Sequence, residues 1–431
     1  MKKVNQPARS HLTRTIRPAR NHPNYTHPTR SSKKSTPPVL ARAKRDLRLV
    51  MSESALTAGL MAISVFTPFY NSIGLNNEEI ALTQIIFTIA TLLLNIPLGY
   101  IADRFSRKWA NVIGDFGHGL AMLFYSAVNG FTGAVICEIM AGVMSALSDG
   151  VDQSLIKHFT SKIANTTGES ETHILKTKTA KVERYKYFVN LCLLLLGGPI
   201  GAIDLRLAIA LSSINHFAGG IVSLFIKDDS EKLRPQHKNP IKDMFAIART
   251  ALGTESLRWR IFAYAVGREL THGIIWIATP LFLQAGVPMW LVSLVWGINS
   301  LAAMFGARLA QSFGHKLTDW QLLAVPVVLM VFSMGTMGVC LNLVTVWFYC
   351  LMGIAQGWSG ATLTPMVQKQ AKPSEQTSIL SLTKVAGQLL YIPAVWIIGT
   401  VADIRLEYGL FATILIFLPL GIIVMKKLKR V

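Results

Sequence analysis

From residue 52 onward the sequence arrives in apolar blocks of roughly twenty residues, about the helical length needed to cross a ~30 Å hydrocarbon core. Twelve such segments stand out, at 52–71, 80–102, 109–129, 131–151, 187–203, 206–226, 260–283, 290–310, 319–341, 343–367, 378–400 and 407–425. Lipid offers a backbone no hydrogen-bond partner, so a lone span must satisfy its own groups, and each segment reads as a helix. The expected fold class is an all-α polytopic membrane protein of twelve transmembrane helices. Composition agrees, with 51% hydrophobic and only 15% charged residues against about 25% charged in an average soluble domain. A soluble enzyme is excluded, and no catalytic residue is expected.

The chain carries 43 Lys and Arg against 23 Asp and Glu, a formal charge of +20. Such an excess suggests either nucleic acid or an anionic membrane surface, and its placement decides for the membrane. If the amino terminus is cytosolic, 39 of the 43 cations fall on the cytosolic side, and only Arg206 and Arg405 fall on the other. Arg268 and Lys384 lie within spans. This asymmetry is what the positive-inside rule expects of a chain with both termini cytosolic. The expected location is a cell (inner) membrane rather than an organelle membrane, with the lipid bilayer as partner and no nucleic acid.

Residues 1–50 differ from the rest. They hold thirteen Lys or Arg, one acid (Asp46) and six prolines, a composition that cannot bury enough surface to fold alone. They read as a disordered basic cytosolic tail. Pro7, Pro18, Pro23, Pro28, Pro37 and Pro38 break any amphipathic transit sequence. Cys137, Cys192, Cys340 and Cys350 sit inside apolar runs without a CxxC or Cys/His spacing, so neither a disulfide framework nor a metal site is expected. There is no Walker P-loop to hydrolyse ATP, and no cofactor is expected. Two glycosylation patterns, at Asn24 and Asn165, fall on the expected cytosolic side and should stay unmodified.

The connection at 227–259 is long, charged and contains Pro235 and Pro240, as a cytosolic linker between two six-helix bundles would be. These bundles are 51–226 and 260–431. They read as pseudo-repeats: Phe105-Ser106-Arg107-Lys108 is echoed by Phe313-Gly314-His315-Lys316 at an offset of 208, which also separates the starts of the first and seventh spans. Such internal repetition is typical of secondary transporters, whose substrate sits between the repeats.

The string Asn95-Ile96-Pro97-Leu98-Gly99-Tyr100-Ile101-Ala102-Asp103-Arg104-Phe105-Ser106-Arg107-Lys108 resembles the loop signature of the major facilitator superfamily between its second and third spans. Gly99, Ala102, Asp103, Arg104, Arg107 and Lys108 match. Ser106 stands where the family usually has Gly, which alters the tight turn there. Ser148-Asp149-Gly150-Val151-Asp152 is similar to a stretch in a bacterial drug and solute transporter subset, and Pro373-Ser374-Glu375 adds support. The resemblance covers residues 52–425. It implies the major facilitator fold, and a cytosolic gate made by Gly99, Asp103, Arg104, Arg107, Lys108, Asp149 and Asp152 that must break during transport. Electrostatics gives the same residues a role, since arginines can reach carboxylates on a neighbouring helix bidentately. A purely topogenic set of positive charges is the alternative, better suited to Lys108 than to Asp103, because an acid adds nothing to positive-inside sorting.

Ionisable groups inside spans are costly and line a cavity or pair with one another. On span four Glu138, Gly142, Ser145, Asp149 and Asp152 follow at steps of four, three, four and three residues, which puts them on one helical face. Span seven supplies Arg268, Glu269, His272, Trp276 and Thr279, of which the last four share a face by the same count. Glu269 is nine residues from Arg260, about 13 Å at helical rise and near the midplane. The resemblance implies that spans one, four, seven and ten line the central cavity. Span ten adds Gln356, Trp358 and Thr364, and span one adds Glu53, Thr57, Ser64 and Tyr70.

A midplane carboxyl group can exchange a proton as the site opens alternately to each side, so Glu138 and Glu269 are candidates for proton coupling. An ion pair with Arg268 would instead hold one of them ionised. His216 reads as a packed residue, Asp115 with His118 as neighbours of the gate, and Lys384 as a side chain that snorkels to the interface. The substrate and proton pathway is expected at Glu138, Ser145, Arg268, Glu269, His272, Trp276, Gln356 and Trp358. The expected function is secondary active transport of a small-molecule substrate by alternating access, coupled to protons, by a monomer. A facilitative uniporter and a non-transporting membrane sensor or scaffold working through the basic tail are the alternatives.

Overall fold

Helices account for nearly all of the described residues because hydrogen bonding must be settled within each segment. The structure, a computed structural model, describes residues 37–227, 248–370 and 376–430; the side chains of residues 37, 38, 96, 103–105, 172, 176, 180 and 376–378 are outside that description. Before the central stretch run α1 (Pro37–Thr57), α2 (Phe66–Ser72), α3 (Asn77–Phe105), α4 (Arg107–Ala127), α5 (Gly130–Ser148), α6 (Val151–Thr167), α7 (Glu171–Ile203) and α8 (Leu205–Leu224). After it run α9 (Glu255–His272), α10 (Ile275–Gln284), α11 (Met289–Phe313), α12 (Asp319–Val339), α13 (Cys350–Gln368), α14 (Gln376–Ile404) and α15 (Leu406–Leu428). Among the described residues there is no strand.

Each of the twelve expected segments falls on helix, but not always as a single rod. Nine helical segments among the described residues are long and apolar enough to cross a membrane. The expected third, seventh and tenth spans are not among them. The third, on α4, carries Asp115 and His118; the seventh is broken between α9 and α10; the tenth, on α13, is rich in Gly, Ser, Thr and Gln. Large apolar side chains such as Leu93, Phe188, Leu196, Ile203, Val328 and Leu415 are exposed, which suits a surface wrapped in acyl chains.

Two expected boundaries move. Residues 37–50, read as part of the disordered tail, are helical and start α1; Ala43, Leu47 and Val50 are buried in one cluster with Leu155, Phe159 and Ile163 of α6. Their apolar positions recur at a helical period that the surrounding lysines and arginines mask. The expected linker also shortens: residues 248–253 are helical and α9 begins at Glu255. Residues 1–36, 228–247 and 371–375, which include most of the tail, both linker prolines and the Pro373-Ser374-Glu375 string, lie outside the described residues. A further helix, α6, follows α5 after Gly150, whose φ of +76° gives the turn that re-aims the chain.

Close approach of helices rests on small residues. A Cβ on Gly357 of α13 would overlap the carbonyl oxygen of Ala303 on α11, one on Gly353 would overlap that of Asn299, and one on Gly306 of α11 would overlap that of Ile354 on α13. The two backbones therefore touch over more than a turn, and α9–α15 share the largest buried apolar cluster.

The helices before and after the central stretch meet most tightly at the end carrying Asn77. Asp403 of α14 accepts hydrogen bonds from the Asn77 backbone N–H at 2.7 Å, its side-chain amide at 2.9 Å and the Glu78 N–H at 3.0 Å. Asn76 accepts from the Glu79 N–H at 2.8 Å, so the otherwise orphaned N–H groups that begin α3 are satisfied, and a carboxylate sits where the helix dipole favours it. Gly399 lies flush against this helix start: a Cβ there would be 2.7 Å from Ala81 Cβ and from the Asn77 carbonyl oxygen. Nearby, Thr67 donates to the Trp276 carbonyl at 2.8 Å, and the Gly198 N–H donates to Ser293 of α11. At the other end, carrying Asp149, Lys384 of α14 is 3.6 Å from Asp149, both about half exposed.

Two outcomes follow from this packing. Gly357→Val should cost about 1–3 kcal/mol by overpacking and lower the unfolding temperature in detergent, whereas Gly360→Ala, on the same helix with open space around it, should leave it unchanged or slightly raised. Equal melting of the two variants would remove the α11–α13 backbone contact as a source of stability. Asp403→Ala should speed deuterium uptake at residues 77–79 by about tenfold or more, since bonds to a charged acceptor are worth about 1.5–3 kcal/mol. Arg405→Ala, beside it, should not; indifference of these amides to Asp403→Ala would mean that the carboxylate does not close this end.

Candidate functional site

The helices of residues 37–227 enclose a cavity of about 690 Å³, within the range of small-molecule sites. Its walls are the polar faces of α1, α3, α4, α5 and α8, with Lys186 from α7, and with Trp276 and Gln388 reaching in from beyond the central stretch. Exposed Asp149, Gly150 and Gln153 mark its rim at the Asp149 end. Five carboxylates line it, Glu53, Asp115, Glu138, Asp149 and Asp152, against one lysine.

Glu138 is 6% exposed on the inward face of α5. Tyr70 of α2 donates its hydroxyl to Glu138 Oε1 at 2.8 Å, and the Gln84 side-chain amide of α3 donates to the same oxygen. Phe66, Tyr70 and Tyr125 form an aromatic wall beside it, with ring centroids 5.5–6.2 Å apart. Two turns toward the Asp149 end, Ser145 Oγ is 3.4 Å from Nδ1 of His118, whose ring lies tilted against His216 with centroids 4.4 Å apart. Ser145 and Glu138 thus both line the cavity, as the spacing on span four required.

Farther along, Ser54 donates to Asp152 at 2.9 Å and lies 3.5 Å from Glu53, and Lys186 pairs with Asp152 at 3.0 Å. Glu53 and Asp115 are 3% and 5% exposed, and Asp115 Oδ2 has no hydrogen-bond partner, nor has the amide nitrogen of Asn111 one turn away. Burying such groups unpaired is expensive.

The span-seven residues divide. Trp276 lines the cavity and donates to the Tyr391 hydroxyl at 2.9 Å. Glu269 is buried beside Gly387 of α14, where a Cβ would be 2.8 Å from its Oε1, with His272 at 3.4 Å and Arg268 at 3.9 Å. These three are not among the cavity-lining residues. The one-face count from Glu269 to Trp276 assumes an unbroken helix, and the helix is interrupted between them at Gly273 and Ile274. On span ten, Trp358 donates to the Leu322 carbonyl at 3.0 Å in the packed core and Gln356 is exposed; neither lines the cavity.

Of the expected gate residues, the side chains of Asp103 and Arg104 are outside the described residues. Lys108 donates to the Leu224 carbonyl at 2.6 Å, tying the start of α4 to the end of α8, and Gly99 and Arg107 are partly buried near by. Asp149 and Asp152 face Lys384 and Lys186 respectively. Sequence reasoning missed Gln84 and Lys186. For Gln84 a signal exists: Gln84, Thr88, Thr91 and Asn95 recur at steps of four, three and four, a polar stripe on α3. Lys186 reads only as one more cation of a basic connection.

No protein-family model matches the chain. An uncharacterised MFS-type transporter of Methanocaldococcus jannaschii is 32% identical over 99 residues, which is 23% of this chain and 24% of that relative. The match thus spans about a quarter of the curated relative. Over nearly the whole length the architecture is similar to that of solved transporters. A mutant of the nucleoside transporter NupG aligns over 90% of this chain and 99% of its own at a TM-score of 0.72 and 12% identity. A bacterial homolog of the human lysosomal transporter Spinster, in an inward-facing and unoccupied conformation, aligns over 92% and 98% at 0.67 and 11%. A D-xylose-proton symporter aligns over 90% and 96% at 0.65 and 12%. The likeness read from the Asn95–Lys108 string therefore extends to the architecture, and the chain has the fold of the major facilitator transporters.

Proposed function

We propose that the chain is a transmembrane transporter that moves a small solute by alternating access, with residues 51–226 and 260–431 as the two rocking bundles and 227–259 as their linker. The observation that carries this is the 690 Å³ cavity whose rim lies at the Asp149 end, while the opposite end is clamped through Asp403 and the start of α3. Positive-inside sorting puts the Asp149 end in the cytosol, which makes this state inward-facing, in a cell (inner) membrane with both termini cytosolic. The Spinster homolog of similar fold was solved facing inward.

The same reading makes Glu138 the proton-coupling group. It is the buried carboxylate at the blind end of the cavity, with hydrogen-bond donors from two neighbouring helices that can follow its change of charge. A relative in fold couples D-xylose to protons. Glu269, with His272 and Arg268 of its own helix beside it, serves in this scheme as a group packed against α14 rather than as a contact for solute. Gly99, Asp103, Arg104, Arg107, Lys108, Asp149 and Asp152 form the cytosolic gate that closes as the outer clamp opens.

Vesicles reconstituted with the protein and loaded with a pH-sensitive dye test the scheme. Among a panel of nucleosides, pentoses and amines, a transported solute should move protons with it and respond to an imposed pH gradient. Glu138→Gln should abolish the proton signal while leaving solute exchange measurable. Solute flux in the intact protein that ignores the gradient would eliminate coupling; a panel without any flux, extended to other solutes, would count against transport itself.

A further inference from the structure

The inner half of the cavity holds more carboxyl groups than the protein pairs. Five carboxylates line the space and Lys186 is the one lysine or arginine among the lining residues. That lysine is committed to Asp152 at 3.0 Å, with Glu183 as a second partner at 3.9 Å. Asp149, at the rim, has Lys384. Glu138 has its two hydrogen-bond donors. Glu53 and Asp115 remain. Thr57 and Ser54 approach Glu53 only at 3.5 Å, and Asp115 Oδ2 has no partner although the residue is 95% buried.

These groups are near one another. Ser54 Oγ bridges Glu53 and Asp152. Beside Glu53, Thr57 packs against Gly219 of α8, and a Cβ on that glycine would be 3.4 Å from Asp115 Oδ2. Asn111 Nδ2, also unpartnered, lies one turn along the same face of α4 as Asp115. Toward the blind end the wall becomes aromatic, with Phe66, Tyr125 and Trp276. The cavity thus gathers Glu53, Asp115, Asp149 and Asp152 toward one end and aromatic faces, with Glu138 among them, toward the other. Among the described residues no three His, Cys, Asp or Glu side chains converge closely enough to hold a metal ion, so the charge is spread over a space suited to a larger cation.

We propose that the cavity takes an amphipathic organic cation, its ammonium group received by Glu53, Asp115 and Asp152 and its apolar body lying against Phe66, Tyr125 and Trp276. Lys186 is the tethered occupant that such a ligand displaces from Asp152. The proposal rests on reading the cavity as the solute site and adds the sign of the solute. An ammonium group supplies the charge that two buried carboxylates lack, and aromatic faces add cation–π attraction. An anion meets five carboxylates in a low-dielectric space and is repelled.

The test is a matched series of probes: 4-phenylbutylammonium, neutral 4-phenylbutanol and anionic 4-phenylbutyrate. Calorimetric titration of the full chain in lipid nanodiscs, with empty nanodiscs subtracted, gives each dissociation constant. The ammonium should bind at least tenfold more tightly than either partner of the series. Asp115→Asn should weaken it about tenfold, and Lys186→Gln, which removes the tethered competitor, should strengthen it. The opposite signs separate a ligand role from general loss of folding. Equal binding of the alcohol, preference for the carboxylate, absence of binding by all three, or indifference to both substitutions overturns the proposal. A transporter of neutral or anionic solutes would keep its vesicle flux while failing this series; a non-transporting protein would keep the order of affinities and lack flux.

Discussion

A helix that breaks inside a membrane exposes backbone groups that lipid cannot satisfy, and the whole arrangement turns on how two such breaks are repaired. The first follows Thr57, the second follows His272. At the first, the Leu56 and Gly59 carbonyls accept from the Asn215 amide, both at 3.2 Å, and the Leu60 N–H donates to Asn190 at 2.9 Å. The short helices that follow the breaks, α2 and α10, meet each other, Thr67 donating to the Trp276 carbonyl and Phe66 lying edge-on to the Trp276 ring at 6.4 Å. Thr67 and Trp276 are 209 residues apart, one more than the offset that relates the repeated strings in the sequence. Corresponding irregularities of two repeats thus seat against one another, and their contact closes one end of the cavity.

The repeats share a plan but divide the labour. In the helices before the central stretch, buried Glu53, Asp115 and Glu138 and partly buried Asp152 line the cavity, while Asp46 pairs with Arg45 outside it. In the helices after it, Glu269 sits against α14 and Arg260 is spent on Asp319 at 2.6 Å, while Met330, Met334, Met337 and the glycine contacts of α11 with α13 fill a continuous apolar core. The cavity-lining acids thus lie before the central stretch and the largest apolar core after it, a difference that similar length and hydropathy do not reveal.

Element type was legible because the bilayer fixes both length and hydrogen bonding, and the positions of the apolar segments follow directly. The Glu138–Ser145–Asp149 face was legible for a similar reason: α5 is one unbroken helix, so steps of three and four hold over its length. The same arithmetic misled on span seven, where Gly273 ends the helix between Glu269 and Trp276. Residues 37–50 and α6 were obscured by composition. In both, apolar positions such as Leu47 and Val50, or Leu155, Phe159 and Ile163, recur at helical spacing within runs dominated by charge, and amphipathic helices at a membrane surface look like loops when judged by mean polarity. Pairings between distant helices, such as Asp403 with the start of α3 across more than 300 residues, have no sequence signal in a single chain.

The two ends of the cavity are built with different kinds of interaction, and the difference bears on how the equilibrium between states is set. The Asn77 end carries hydrogen bonds from the N–H groups of a helix start to Asp403, together with flush backbone contact at Gly399. The Asp149 end carries the Lys384–Asp149 pair, half exposed on both sides and so worth roughly 0–1 kcal/mol. With these terms alone the state closed at the Asn77 end dominates. In the proposed alternation that end must open, and a ligand can shift the balance only by as much as it prefers one state. A cavity that leaves Asp115 and Asn111 without partners stores part of this free energy in the empty protein. In the proposed scheme, a solute that satisfied Asp115 in one state only would shift the balance by that preference.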